Sequence, residues 1–243
     1  MLRIIGVDLY ECDASLRRHI MSQPSHHAHQ YIYSKGHGKS WLFVVNFIVP
    51  TGNITAYWTP GSSSSNWIES LPDSSLLSRF IKGSDNFRNK RLKLIPKIVS
   101  GNWFVRKVVG SKPAILGTKG LGMKYYVTDK YLEIDIDLTK SRIANGIWSV
   151  VQQYAESLVV DLAFVIESQH MTELPETLLC SVRFHHVRFM QRKDIIEDTE
   201  NTKKDCDDDD DGSDDDGVLQ RPASPTGSVG SIKSLHSDRL LHV

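Results

Sequence analysis

A chain of 243 residues that is 40% hydrophobic has room for one large domain or two small ones, and a fibrous or wholly unfolded protein is excluded. The net charge of +0 hides an asymmetry: residues 1–193 carry 24 bases against 15 acids, and residues 194–243 carry 5 against 14. Three cysteines (Cys12, Cys180, Cys206), no signal-peptide pattern in MLRIIGVDLY and no apolar run near 18 residues exclude a disulfide framework and a spanning helix; the expectation is a cytoplasmic protein with at most peripheral membrane contact.

In chain order, Arg3–Tyr10 reads as a strand and Ala14–Met21 as a short helix. Ser25–His37 is polar and holds four histidines, the pattern of a loop. Trp41–Val49 is apolar and β-branched; Pro50-Thr51-Gly52-Asn53 turns it into a return strand, Ile54–Trp58. Thr59–Ser65 is a flexible loop. Leu76, Leu77, Phe80 and Ile81 mark one face of a helix over Ser74–Ile81, capped by Asp73 or Ser74 and stopped by Gly83; Asp85 caps a second short helix. Leu92–Val99 reads as a strand whose Pro96 places it at an edge or bulge, and Trp103–Val109 as another strand after the turn Ser100-Gly101-Asn102.

Tyr131–Leu138 alternates, with Leu132, Ile134, Ile136 and Leu138 on one face and Glu133, Asp135 and Asp137 on the other, predicting a half-buried antiparallel strand whose acidic face is solvated or pairs across strands with basic neighbours. Arg142–Tyr154 is helical, Leu158–Ile166 a central strand, Leu174–Leu179 a short helix and Val182–Phe189 the last strand. Together these predict an α+β fold: a largely antiparallel, curved sheet packed against one longer helix at about 142–156 and several short ones. The domain spans 1–190. Residues 191–243, rich in Asp and then Ser, Pro and Gly, are expected to be a disordered acidic tail.

Catalysis and cofactor binding find little support. Gly38-Lys39-Ser40 resembles the end of a phosphate loop, but Tyr33 stands where its first glycine belongs and a strand follows. Gly117–Gly122 lacks dinucleotide-loop spacing. His26, His27 and His29 have no further ligand at metal spacing, and no Ser/His/Asp or Cys/His set can be assembled. No metal, no cofactor and no enzyme activity are therefore expected. Asp161, interrupting an apolar strand, is expected to be a buried structural carboxylate in an ion pair. The strongest signal is charge: Arg79 to Lys124 holds twelve bases against Asp85 alone. Arg79, Lys82, Arg88, Lys90, Arg91, Lys93, Arg106 and Lys107 are the candidate anionic-lipid contacts, facing a membrane surface or lipid. A nucleic-acid partner is not expected, because no stacking platform or recognition helix is evident.

The runs FVVNFIVP (Phe43–Pro50), Leu76–Gly120 with its FRNKRLKLIP and VGSKPAILG elements, YLEIDIDLTKSRIANG (Tyr131–Gly146), LVVDLAFVIES (Leu158–Ser168) and ELPETLLCSVRFHHV (Glu173–Val187) resemble the C-terminal domain family of the plant protein Enhanced Disease Resistance 2. The resemblance covers about residues 4–187. It implies a membrane- or lipid-associated regulatory protein without recognised catalytic residues. In such proteins the domain commonly follows a lipid-binding START domain, often with a pleckstrin-homology domain before that. Similar sequences carry some tens of residues ahead of the segment matching Ile4–Tyr10, and the Asp-rich tail lies outside the resemblance. Three functional expectations follow: a non-enzymatic membrane-associating module using a basic surface, a lipid carrier with an apolar pocket against the 142–154 helix, or a scaffold for a protein partner regulated by the tail, with Ser224-Pro225 as a phosphorylation site.

Overall fold

The computed structural model describes residues 1–34, 40–61 and 67–189 and the backbone of 233–236. The chain divides into two compact units, residues 1–187 with 231–243 and residues 188–230; the elements below belong to the first. They run β1 (Arg3–Glu11), α1 (His27–Tyr33), β2 (Leu42–Val49), β3 (Gly52–Thr59), α2 (Leu76–Lys82), α3 (Asp85–Asn89), β4 (Leu92–Ser100), α4 (Trp103–Val109), β5 (Ala114–Ile115), β6 (Gly122–Val127), β7 (Tyr131–Asp137), α5 (Arg142–Tyr154), β8 (Val159–Ile166), β9 (Leu178–His185) and β10 (Lys233–His236). The fold is α+β, with two sheets rather than one: a six-stranded sheet in the order β10-β1-β3-β2-β7-β6 and a four-stranded sheet β5-β4-β8-β9. Every pairing is antiparallel except β2 with β7.

Period-two alternation assigns each face of the larger sheet its cover. Phe43, Phe47 and Trp58 point to the smaller sheet, where Phe164 of β8 lies 6.3 Å from the Phe47 ring and 6.0 Å from that of Trp58. The Trp58 indole N–H donates to the Ser181 carbonyl at 2.8 Å, so this large ring is buried without leaving its polar edge unpaired. Leu42, Val44, Tyr57 and Tyr131 point the other way, onto a strap formed by residues 13–33, whose Ile20, Met21, Ala28 and Ile32 complete a second core. β2, β3 and β7 are consequently buried along their whole lengths. The hairpin between β2 and β3 requires glycine at position 52: a Cβ there would come within 1.8 Å of the Tyr10 carbonyl oxygen.

α5 matches its predicted span, and β1, β2, β3, β4 and β8 agree with expectation to within a few residues. β5 pairs only with Lys93 and Leu94, so Pro96 does lie on an edge of β4 that β5 leaves open. Several expectations need correction. Residues 103–109 form a helix, not a strand: the Asn102 side chain accepts the Phe104 N–H at 2.8 Å, and Gly110, at φ 70°, ends it. The histidine-rich segment is partly helical, because Ala28 and Ile32, four residues apart, fill the strap core. Residues 174–179 are not a helix; a single 3-10 turn at Met171–Glu173 leads into β9. β6 is a further strand that the sequence pattern does not mark. The expected helix at 14–21 is two 3-10 turns separated by His19 at φ 48°. The tail expectation falls outside the described residues, apart from the backbone of β10, which pairs with β1.

Candidate functional site

Five of the eight predicted lipid contacts have partners within the fold. Arg88 is buried; it donates to the Phe80 carbonyl (3.0 Å) and the Ile81 carbonyl (2.6 Å), closing the end of α2, and to Asp85 (2.9 Å). Arg91, also buried, donates to Glu173 at 2.8 Å and to the Glu167 carbonyl at 3.0 Å, and lies 4.4 Å above the Phe87 ring. Arg79 takes the other oxygen of Glu173 at 2.7 Å, Lys93 binds Glu176 at 2.7 Å, and Lys82 pairs with Asp73 at 2.6 Å. Burial would raise the Glu173 carboxyl, but the Gln169 N–H and the Arg91 and Arg79 guanidinium groups outweigh it and hold the carboxyl at about 2. The connection between β8 and β9 thus folds its acids back onto the bases of α2 and β4. The basic FRNKRLK run and the ELPE run are two halves of one structural clasp.

Seven bases of the 79–124 stretch remain: Lys90, Lys97, Arg106, Lys107, Lys112, Lys119 and Lys124. All are exposed, and none is in an ion pair among the described residues. Two of them stand on α4 beside aromatic side chains. Val105 and Val109 turn inward to Ile98, Leu158, Val150, Val151 and Tyr154. That inward face sends Trp103 and Lys107 outward, four residues apart, with Phe104 and Arg106 on the flanks. Trp103 is 71% exposed and Phe104 42%, and their rings meet edge to face at 6.2 Å. Val99, next to the last residue of β4, is exposed as well. The sequence carried the signals for this helix, an Asn cap, inward valines four apart and a closing glycine, but the β-branched and aromatic run masked them.

The acidic face of β7 is buried, not solvated. The Glu133 carboxyl accepts the N–H groups of Ile20 (2.7 Å) and Met21 (3.1 Å), and Asp135 accepts the His19 N–H (3.2 Å). Asp137 pairs with Arg18. Asn46 donates to Asp135 at 2.7 Å and to the Arg17 carbonyl at 2.9 Å. Cross-strand register sets Asp8, Thr55, Asn46 and Asp135 in one buried row, so the strap is seated on hydrogen bonds as well as on its apolar residues. Burial, reinforced by neighbouring Asp135, pushes Glu133 up to about 9. His26 is buried against Tyr10, ring centroids 4.1 Å apart, and burial lowers it to about 4.

Asp161 is paired as expected, with both oxygens on Arg183 of β9 (one at 2.8 Å), but its side chain is 28% exposed rather than buried, because it faces away from the larger sheet. Its carboxyl is held below the usual range first by the Arg183 hydrogen bond. Gly117 serves close packing: a Cβ would meet the Asn89 carbonyl oxygen at 2.3 Å. Gly38 and Lys39 lie outside the described residues, as do Asp205–Asp216 and Ser224-Pro225. The α5 face expected to line a lipid pocket is filled by α4, β4 and β8. A half-open cleft of about 230 Å³ lies elsewhere, among Leu2, Trp67, Leu76, Leu77, Ile166 and Leu179. Among the described residues, no group of three or more His, Cys, Asp or Glu side chains is arranged to hold a metal, and no helix is long and apolar enough to cross a membrane.

The family model described as "Protein ENHANCED DISEASE RESISTANCE 2, C-terminal" matches residues 1–188. A relative from Arabidopsis thaliana, "Protein ENHANCED DISEASE RESISTANCE 2-like", is 46% identical over 117 residues, which is 48% of this chain and 16% of that protein's length. No solved structure matches the chain.

Proposed function

Because the chain belongs to the family described as Protein ENHANCED DISEASE RESISTANCE 2, C-terminal, we propose that it is a non-enzymatic regulatory module that docks reversibly on an anionic membrane surface through the cations its fold leaves unpaired. The observation that carries this reading is the division of the basic stretch. The clasp neutralises Arg79, Arg91 and Lys93, while Lys90, Lys97, Arg106, Lys107, Lys112, Lys119 and Lys124 stay exposed.

Each base near an anionic leaflet contributes about 1 kcal/mol, and the attraction fades within a Debye length. Four or five sharing one approach would supply roughly 4–5 kcal/mol, a millimolar-range affinity suited to a module that is one part of a larger assembly. Co-sedimentation with phosphatidylcholine vesicles containing graded phosphatidylserine, at low and high salt, tests the reading. Binding should rise with the anionic fraction and fall as salt is added. Equal binding to neutral and anionic vesicles, or none to either, overturns it.

A further inference from the structure

We infer that α4 is the element that enters the membrane, with Trp103 and Phe104 seated at the boundary between headgroups and acyl chains and Arg106 and Lys107 at the phosphates. This rests on the docking reading above and adds to it a depth, an element and an apolar contribution that salt does not screen.

A packed surface rarely leaves an indole and a phenyl ring side by side in water, since each has large apolar area to bury. Trp103 is 71% and Phe104 42% exposed on a helix whose valines already fill the core beneath it. Both sit at the start of α4, right after the turn at Ser100–Asn102 that joins it to β4. Trp beside Arg and Lys on one short amphipathic element is the composition that settles at a bilayer interface: the ring reaches the acyl boundary while the long cationic side chains extend to the phosphates.

Exposed Trp and Arg also suit a protein contact, and charge decides between the two. Protein interfaces set positive against negative groups so that each fixes the other's register. Residues 86–128 contain no Asp or Glu at all. α4 itself presents cations, Arg106 and Lys107, and no acid, and so complements a surface that is uniformly anionic and asks for no particular register. Val99 and Lys97, exposed at the end of β4, extend the same mixture of apolar and cationic groups toward α4.

Tryptophan fluorescence reads this directly. Trp41, Trp58 and Trp148 are buried and Trp67 is partly buried, so Trp103 is the most exposed of the five. The full chain is mixed with phosphatidylcholine–phosphatidylserine vesicles whose acyl chains are brominated near the headgroup. The expected result is quenching and a blue shift in the native chain. In Trp103→Phe the quenching should be lost while sedimentation with the same vesicles is largely kept. Trp103→Ala with Phe104→Ala should weaken affinity about tenfold or more, and should remove the binding that persists at high salt. These residues are exposed, so the urea midpoint should stay at the native value, which certifies that the variants fold. Salt-sensitive sedimentation without quenching leaves surface docking standing and overturns insertion. Absence of vesicle binding in the native chain overturns both, and assigns α4 to a protein partner.

Discussion

Replacing Glu173 by Ala separates a structural clasp from a lipid site. Arg91 and Glu173 are each only 4% exposed and lie 2.8 Å apart. Without the carboxylate, Arg91 keeps one hydrogen bond, to the Glu167 carbonyl, and a buried guanidinium loses its counter-ion. Removing one partner of a buried pair typically costs about 3–5 kcal/mol, a large share of the roughly 5–15 kcal/mol that stabilises a domain. Arg79, on the other oxygen, is partly exposed and adds less. Equilibrium urea unfolding at pH 7 should show this loss for Glu173→Ala and a similar one for Arg91→Ala. Arg91→Met with Glu173→Leu should recover much of it, because two apolar side chains leave no orphaned charge. The Glu173 carboxyl is held at about 2, below its unfolded value of about 4.5. The stability it contributes is therefore complete above about pH 4.5 and is lost as pH falls toward 2. At pH 7, folded Glu173→Ala should bind anionic vesicles at least as well as the native chain, since Arg79 is released. An unchanged urea midpoint for Glu173→Ala refutes the clasp. So does an Arg91→Ala variant that keeps its stability and loses vesicle affinity, since Arg91 would then be the lipid contact the sequence suggested.

Glu133 gives stability the opposite pH dependence. Its carboxyl is raised to about 9 in the folded chain, so the folded state holds a proton that the unfolded state releases above about pH 4.5. Stability should fall as pH rises above about 4.5 toward the folded value, and Glu133→Gln should flatten that slope in urea titrations. His26, lowered to about 4, acts the other way and loses stability as pH drops from about 6.5 toward 4. Asn102→Ala removes the cap of α4 and should lower stability by about 1 kcal/mol, with hydrogen exchange accelerated over residues 103–109. Phe164→Ala opens a hole between the sheets, beside Phe47 and Trp58, and should cost about 3–5 kcal/mol in the same unfolding assay.

Those outcomes turn on features that sequence reading reached unevenly. β2 was legible because an unbroken apolar run has one home, a strand covered on both faces. α5 was legible because Ile143, Ile147, Val150, Val151 and Tyr154 keep helical spacing over thirteen residues. Residues 103–109 defeated the same logic: over seven residues an aromatic and β-branched run fits a strand as well as a helix. Glu133, Asp135 and Asp137 were misplaced for another reason. Alternation shows that two faces differ, not that the polar one meets water; here backbone N–H groups of the strap, more than a hundred residues away in the chain, meet the carboxyls. Asn46, Asn53 and Thr55 in otherwise apolar strands were the available hint, since buried polar side chains need partners. The eight candidate lipid contacts rest on charge density along the chain. Density cannot reveal that Glu173 and Glu176, 82 and 83 residues on, claim Arg91 and Lys93.

The charge-reversal variant Arg106→Glu with Lys107→Glu bears most directly on docking. Its vesicle affinity, measured beside that of the native chain at equal anionic lipid and low salt, should fall by at least tenfold. Reversing two charges swings roughly 4 kcal/mol if both lie at the surface. Because both side chains point to solvent, the urea midpoint should move little. Native affinity in the doubly reversed variant, with binding of the native chain still sensitive to anionic lipid, would contradict the placement of the membrane surface at α4.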